Sequence, residues 1–257
     1  MAIISLFIHT YLFILGAALG SFFNVVGLRV PQNQSIVSPG SSCPVCGHRI
    51  KPLELVPIFS YIVQKGKCKS CKTSISPIYP VMELITAILF TTSPLMAGWS
   101  KELAIAWTLI SLCMIVSVSD LAYMIIPDKV LLFFLPLVLI ERLFFIPLDP
   151  WYDALIGLFA GAFIPFVIIL ISRGGMGGGD MKLLAVLGVL LGWKLVLLAF
   201  FLATVIGTLA GVFGMLLGKV KRGKPFPFGP FLVIGALLAY FFGSSLIQWY
   251  TGTFFTY

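Results

Sequence analysis

The sequence predicts an all-α polytopic membrane protein, and three observations carry that prediction. Apolar residues fill 60% of the 257 positions and charged residues only 10%, whereas soluble domains run near half apolar and a quarter charged. The apolar residues fall in long unbroken runs without period-two alternation, which selects helices over barrel strands. The Lys and Arg residues crowd into a few short segments between those runs. Polar side chains are too few to cover a water-soluble fold of this size. In lipid, a span must satisfy its own backbone hydrogen bonds, so the runs are expected to be helices.

A span needs roughly 17–25 mostly apolar residues. In chain order the candidates run over 4–27, 80–97, 102–119, 130–147, 153–172, 183–192, 195–218 and 230–250, about eight transmembrane helices with seven as the alternative. The first lacks a basic leader and a small-residue cleavage site, so it reads as a retained span and not a removed signal peptide. The sixth, LLAVLGVLLGW, is short; it either starts inside the preceding glycine stretch or tilts against its neighbours. With eight spans, segments 28–79, 120–129, 173–182 and 219–229 share one face and hold all but three of the 17 Lys and Arg residues. The other face keeps Lys101, Arg142 and Lys194. The positive-inside rule makes the first face cytoplasmic and puts both termini outside. The net charge of +8 is then a signal of topology and of contact with membrane lipids, not of nucleic-acid binding. The chain divides into a region 1–97, with two spans and a cytoplasmic loop at about 29–79, and a region 98–257.

That loop is the only sizeable soluble segment, and it contains Cys43, Cys46, Cys68 and Cys71 as two C-x-x-C pairs with 21 residues between them. Each pair puts two thiolates on one tight turn, and two turns complete a tetrahedron, so the loop is expected to bind a structural Zn2+. Gly47 and Gly66 suit the turns. Two disulfides are the alternative, disfavoured in a reducing cytoplasm. His48 stands beside a ligand, but four cysteines suffice. Cys113, inside the third span, reads as a packing residue.

Ionisable residues in or beside spans are functional suspects by default. Asp120 ends the third span in SVSDLAYMIIPDKV, and Asp180 follows five glycines in RGGMGGGDMKLL. Two spans lie between them, so both reach the same membrane face. Two carboxylates at one site share a proton, leaving one as general base on water and the other as acid. Each aspartate alone has an equally good structural reading, as a helix end beside a glycine hinge. Asp128 after Pro127 is expected to N-cap the fourth helix and is the reserve catalytic residue. Lys182 is placed either against a carboxylate or, the favoured reading, against lipid phosphate, and Arg29 at the end of the first span is expected to meet lipid phosphate. Glu83 is placed either at the site or against a neighbouring helix, Asn24 closes the first span, and His9 bonds locally. The two histidines lie on opposite faces and supply no nucleophilic triad, and the glycine stretch lacks the Gly-Lys-Ser/Thr of a P-loop.

These residues resemble the type IV prepilin peptidase family, membrane aspartic proteases with a GxGD motif. The similarity runs through GSFFNVVGLRVP (20–31), GKCKSC, ISPIYPVMEL (75–84), the IIPD after Asp120, GGGD (177–180) and PFGPFL (227–232). It implies Asp120 and Asp180 as the catalytic pair and the four loop cysteines as zinc ligands. It implies prepilin or pseudopilin substrates, cut at the cytoplasmic face between a short basic leader and the hydrophobic helix. It extends to N-methylation of the new terminus with S-adenosylmethionine, an activity for which the residues themselves show no cofactor fingerprint. Ile78 stands where family members often carry arginine before Tyr79 and Pro80, in the region associated with methylation. Rival readings are a proton-coupled transporter, a zinc-stabilised membrane scaffold and an enzyme cutting within membrane helices. Against these stand aspartates near one face, no repeat between the halves, and a cysteine loop that an intramembrane protease does not need.

Overall fold

The computed structural model describes residues 2–173, 175–218 and 227–254. Gly174 and the basic residues Lys219, Lys221, Arg222 and Lys224 of segment 219–229 lie outside them. The described residues form eight α-helices and no strand. Six helices are long and apolar enough to cross a membrane, so the chain is a multi-pass membrane protein. It separates into two compact units, Met1–Leu95 and Met96–Tyr257.

The first unit pairs α1 (Ala2–Arg29) with α3 (Ile78–Ala97). Gly16 and Gly20 put one face of α1 against the backbone of Ala87 and Glu83, where an added Cβ would lie 2.8 Å from each Cα. Small residues one turn apart allow this close approach, which in lipid takes the place of hydrophobic burial. Between the helices runs the loop, with a 3-10 turn at Pro52–Glu54 and a short helix α2 (Phe59–Val63). Asn24 Nδ2 donates to Tyr79 O at 3.1 Å, and Arg29 Nη1 turns back to Ser35 O at 3.0 Å.

The second unit is built round α4 (Glu102–Tyr123), which is buried along most of its length, including Cys113. Then follow α5 (Asp128–Ile140), α6 (Asp153–Ile171), α7 (Gly178–Leu216) and α8 (Gly229–Phe254). A five-residue π turn, Glu141–Phe145, extends α5. The 39 residues of α7 are interrupted at Gly192, which has φ 77° and ψ 171°. The partners on either side show that the chain reverses there. Before the break, Leu184 and Gly188 meet Gly161 and Gly157 of α6; after it, Leu195, Ala199 and Gly207 meet Gly243, Gly235 and the start of α8 in turn. The second arm therefore returns to the level from which the first began. A straight helix of this length would run about 58 Å, nearly twice a bilayer core. The six long helices, with α7 counted as two arms and the extended α5 added, give eight helical passes. The short sixth span does begin in the glycine stretch, at Gly178.

Arg142 is not a loop charge, as its sequence position suggested, but is 2% exposed. Its Nη1 pairs with Glu102 Oε1 at 2.7 Å, and its Nε donates to Leu190 O at 2.9 Å. That carbonyl lies just before the break at Gly192, where the helix supplies no regular N–H donor. Tyr240 Oη donates to Glu102 O at 2.9 Å. A buried guanidinium is stable in lipid only with such a full set of partners.

Candidate functional site

Asp120 lies in the last turn of α4 and is 5% exposed. The helix ends just beyond it, because Met124 takes a left-handed conformation and returns its N–H to Asp120 O at 2.8 Å. The tight turn to Pro127 is held by Ser119 Oγ donating to Ile125 O at 2.5 Å. The Asp120 carboxylate accepts the backbone N–H of Gly229 at 2.9 Å. Gly229 is the first residue of α8, so the charge sits at a helix amino end, where the free N–H groups and the dipole favour an anion.

Asp180 lies in the first turn of α7, half-buried, at a second helix amino end. A Cβ added at Gly177 would stand 3.1 Å from its Oδ2, and one at Gly179 would stand 3.1 Å from the Ile126 side chain. Glycine thus lets the start of α7 lie flat against the turn that closes α4. The two carboxylates are close enough for Asp180 to feel the charge of Asp120. Three chain segments, around 120, 180 and 229, converge on this pair.

Two expectations for its neighbours need correcting. Asp128 makes no side-chain cap on α5, whose N-cap position is Pro127. Lys182 meets no free phosphate position, because its Nζ reaches Asp128 Oδ1 and Oδ2 at 2.8 and 2.9 Å. Two opposite charges that face each other across the adjacent helix starts neutralise one another sooner than they seek lipid. Glu83 belongs to the first unit, where its Oε2 accepts the N–H of Ile58 at 2.8 Å. His9 bonds locally, with Nδ1 2.7 Å from Ser5 O. Gly229 is the contact residue that the sequence reading did not assign. Its signal was the Gly-Pro step in PFGPFL, where proline starts a helix and glycine leaves room for a carboxylate.

In the first unit the sulfurs of Cys43, Cys46, Cys68 and Cys71 all lie within 4.8 Å of one another and could hold a metal ion. Cys43 and Cys71 are 3.7 Å apart and Cys46 and Cys68 4.0 Å. A tetrahedron with metal–sulfur bonds of about 2.3 Å has edges near 3.8 Å. The two knuckles share one design: Cys43 N bonds His48 O, Cys68 N bonds Thr73 O, and a left-handed residue follows each second cysteine. In the first knuckle that residue is Gly47, as expected; in the second it is Lys72, while Gly66 makes the preceding turn. The N–H groups of Cys46 and Val45 hold the Cys43 thiol below its ordinary range. The Thr73 hydroxyl and N–H bring Cys71 down to about 6. Cys46 is drawn down by the His48 N–H but, through burial and its three neighbouring sulfurs, ends at about 11. A cation at the centre removes this mutual opposition. His48 is no ligand in this arrangement, as its Nε2 faces Glu54 at 3.3 Å.

Residues 14–96 match the bacterial peptidase A24 N-terminal domain, and residues 107–212 match the type IV leader peptidase family. A prepilin leader peptidase/N-methyltransferase of Bacillus subtilis is 47% identical over 239 residues, covering 93% of this chain and 96% of its own length. Proteins of the same description from Aeromonas salmonicida and Pseudomonas aeruginosa are each 33% identical, covering 94% and 92% of this chain and 93% and 91% of theirs. No solved structure matches. With both halves matched in order and relatives aligned almost end to end, the chain belongs to the type IV leader peptidase family.

Proposed function

We infer that the chain removes the leader peptide of type IV prepilins or pseudopilins, with Asp120 and Asp180 as the catalytic pair at the cytoplasmic face of a bacterial inner membrane. The observation that carries this reading is two carboxylates, each beside a helix amino end and near enough for one to feel the other's charge, in a chain of a leader peptidase family. Two carboxylates in contact hold one proton between them. The ionised one takes a proton from water as that water attacks the scissile carbonyl, while the protonated one donates a hydrogen bond to the carbonyl oxygen. The tetrahedral intermediate collapses when the leaving amine receives a proton from the pair. The start of α7, glycine at 177–179, leaves an open flank on which an extended peptide can lie.

The cysteine tetrad is read as a structural Zn2+ site. Its edges fit four-thiolate coordination, and four protein ligands leave no open position for substrate. Zinc would tie together a loop with few buried apolar residues. The relatives' second named activity suggests N-methylation of the new terminus, for which S-adenosylmethionine supplies the methyl group. In the first unit, Asn24 Oδ1 is buried without a partner beside Glu83, on a cavity of about 520 Å³, a setting suited to a cationic ligand.

Co-expression with a prepilin tests the reading, scored by leader loss and by the mass of the new N-terminus. Wild type is expected to cleave, and Asp120→Asn and Asp180→Asn to lose cleavage at normal membrane abundance, by about 10³-fold or more. An added methyl mass would establish the second activity. Wild type that leaves several prepilins intact would overturn the assignment, and cleavage surviving Asp120→Asn would move its role to Asp128.

A further inference from the structure

Within the loop, residues 52–63 carry their polarity inside out. On α2, Phe59, Ile62 and Val63 follow an i, i+3, i+4 pattern and point outward, and with Leu53 they are 63–85% exposed. Ser60, Tyr61 and Gln64 turn inward and line the cavity. A loop in water would have the opposite arrangement, and an apolar cluster of this kind marks an interaction surface.

The backbone of this segment also lies deep. Ile58 N–H reaches the Glu83 carboxylate at 2.8 Å. Glu83 is five residues inside α3, about 7.5 Å below its start. It packs on Gly20 of α1, which lies nine residues before Arg29, about 13 Å along that helix. On α3 around this level Val81, Leu84 and Ile85 are exposed to lipid. Lys51 precedes the segment and Lys65 and Lys67 follow it, all exposed.

We propose that residues 52–63 form a re-entrant interfacial segment, with Leu53, Phe59, Ile62 and Val63 among the acyl chains of the adjacent leaflet and Lys51, Lys65 and Lys67 against lipid phosphates. The partner is lipid because the Ile58–Glu83 hydrogen bond puts this segment at the depth of the exposed apolar residues of α3, and because the rim residues Lys51, Lys65 and Lys67 are positive, complementary to anionic headgroups. The metal knuckles are then seated on the membrane surface by an apolar keel, and are not held free in the cytoplasm.

Photo-cross-linking of the full chain tests this. The photoreactive residue p-benzoylphenylalanine replaces Phe59, Ile62 or, as a control on the second knuckle, Ser70. Each protein is reconstituted in nanodiscs of phosphatidylglycerol and phosphatidylcholine, irradiated and weighed intact. Positions 59 and 62 are expected to yield phospholipid adducts roughly tenfold above position 70. Equal yields at all three, or cross-links from 59 and 62 to a second copy of the chain, would overturn the proposal. Metal content equal to wild type verifies that each labelled loop is folded. If the label at 59 lowers it, position 63 replaces it with the same expectation.

Discussion

The cysteine tetrad and the carboxylate pair are assembled in opposite ways. The four sulfurs come from two short turns, and each turn is shaped by hydrogen bonds within six residues of its first cysteine. Their convergence needs a metal more than it needs a core. The carboxylates come from the ends of two long helices, and their setting depends on packing elsewhere in the second unit: Asp120 reaches its Gly229 donor across 109 residues of sequence. A site made of local turns is robust to distant changes and fragile to loss of its ion. A site made by helix packing is the reverse.

Changes can break this contrast in graded order. Gly188→Leu should have the largest effect, because its side chain would enter the backbone of Gly157. Prising α6 from α7 should cost about 3 kcal/mol or more, with folded protein and leader cleavage lost together while bound metal persists in whatever chain remains. Normal melting and normal cleavage in this variant would contradict the packing account. Gly229→Ala should come next. A Cβ there would lie 2.7 Å from Asp120 Oδ2, and displacing a reacting group by a fraction of an ångström to one ångström lowers turnover about 100-fold. Abundance should stay at wild type, and unchanged turnover would mean that Gly229 does not position the carboxylate.

Removing the metal should be milder for the chemistry. Cys43→Ser/Cys46→Ser, or chelation, should open the loop to protease between residues 30 and 77. It should raise KM roughly tenfold with kcat little changed; loss of kcat instead would place the metal nearer the reaction. Lys182→Gln should do least. The Lys182 and Asp128 side chains are 51% and 61% exposed, so the pair should contribute about 0.5 kcal/mol and matter less as salt rises. A large loss on this substitution would give the pair a role in the site itself.

The same contrast explains what could be read from sequence. Both cysteine pairs, both aspartates and the membrane spans announce themselves by residue type and spacing, because each is a local exception in a chain with 10% charged residues. Gly229 could not be assigned, since it acts through a backbone N–H that nearly every residue type possesses. Arg142 was counted with the outer loops because linear position says nothing of a π turn that brings a guanidinium inward. The reversal at Gly192 was legible only as two neighbouring candidates, one of them too short.

That reversal also bears on how the protein is made. The translocating machinery meets residues 178–216 as one apolar stretch with few charges, in which only the Trp193–Lys194 step separates two candidate passes. The instruction is a single backbone torsion, φ 77° at Gly192, stabilised by Arg142 on the carbonyl of Leu190. Any other residue there resists that torsion, and its Cβ would strike the Asp153 carboxylate. With the arms joined end to end, Gly229 would emerge on the far side of the bilayer from Asp120. One glycine thus decides whether Gly229 can return to the level of Asp120.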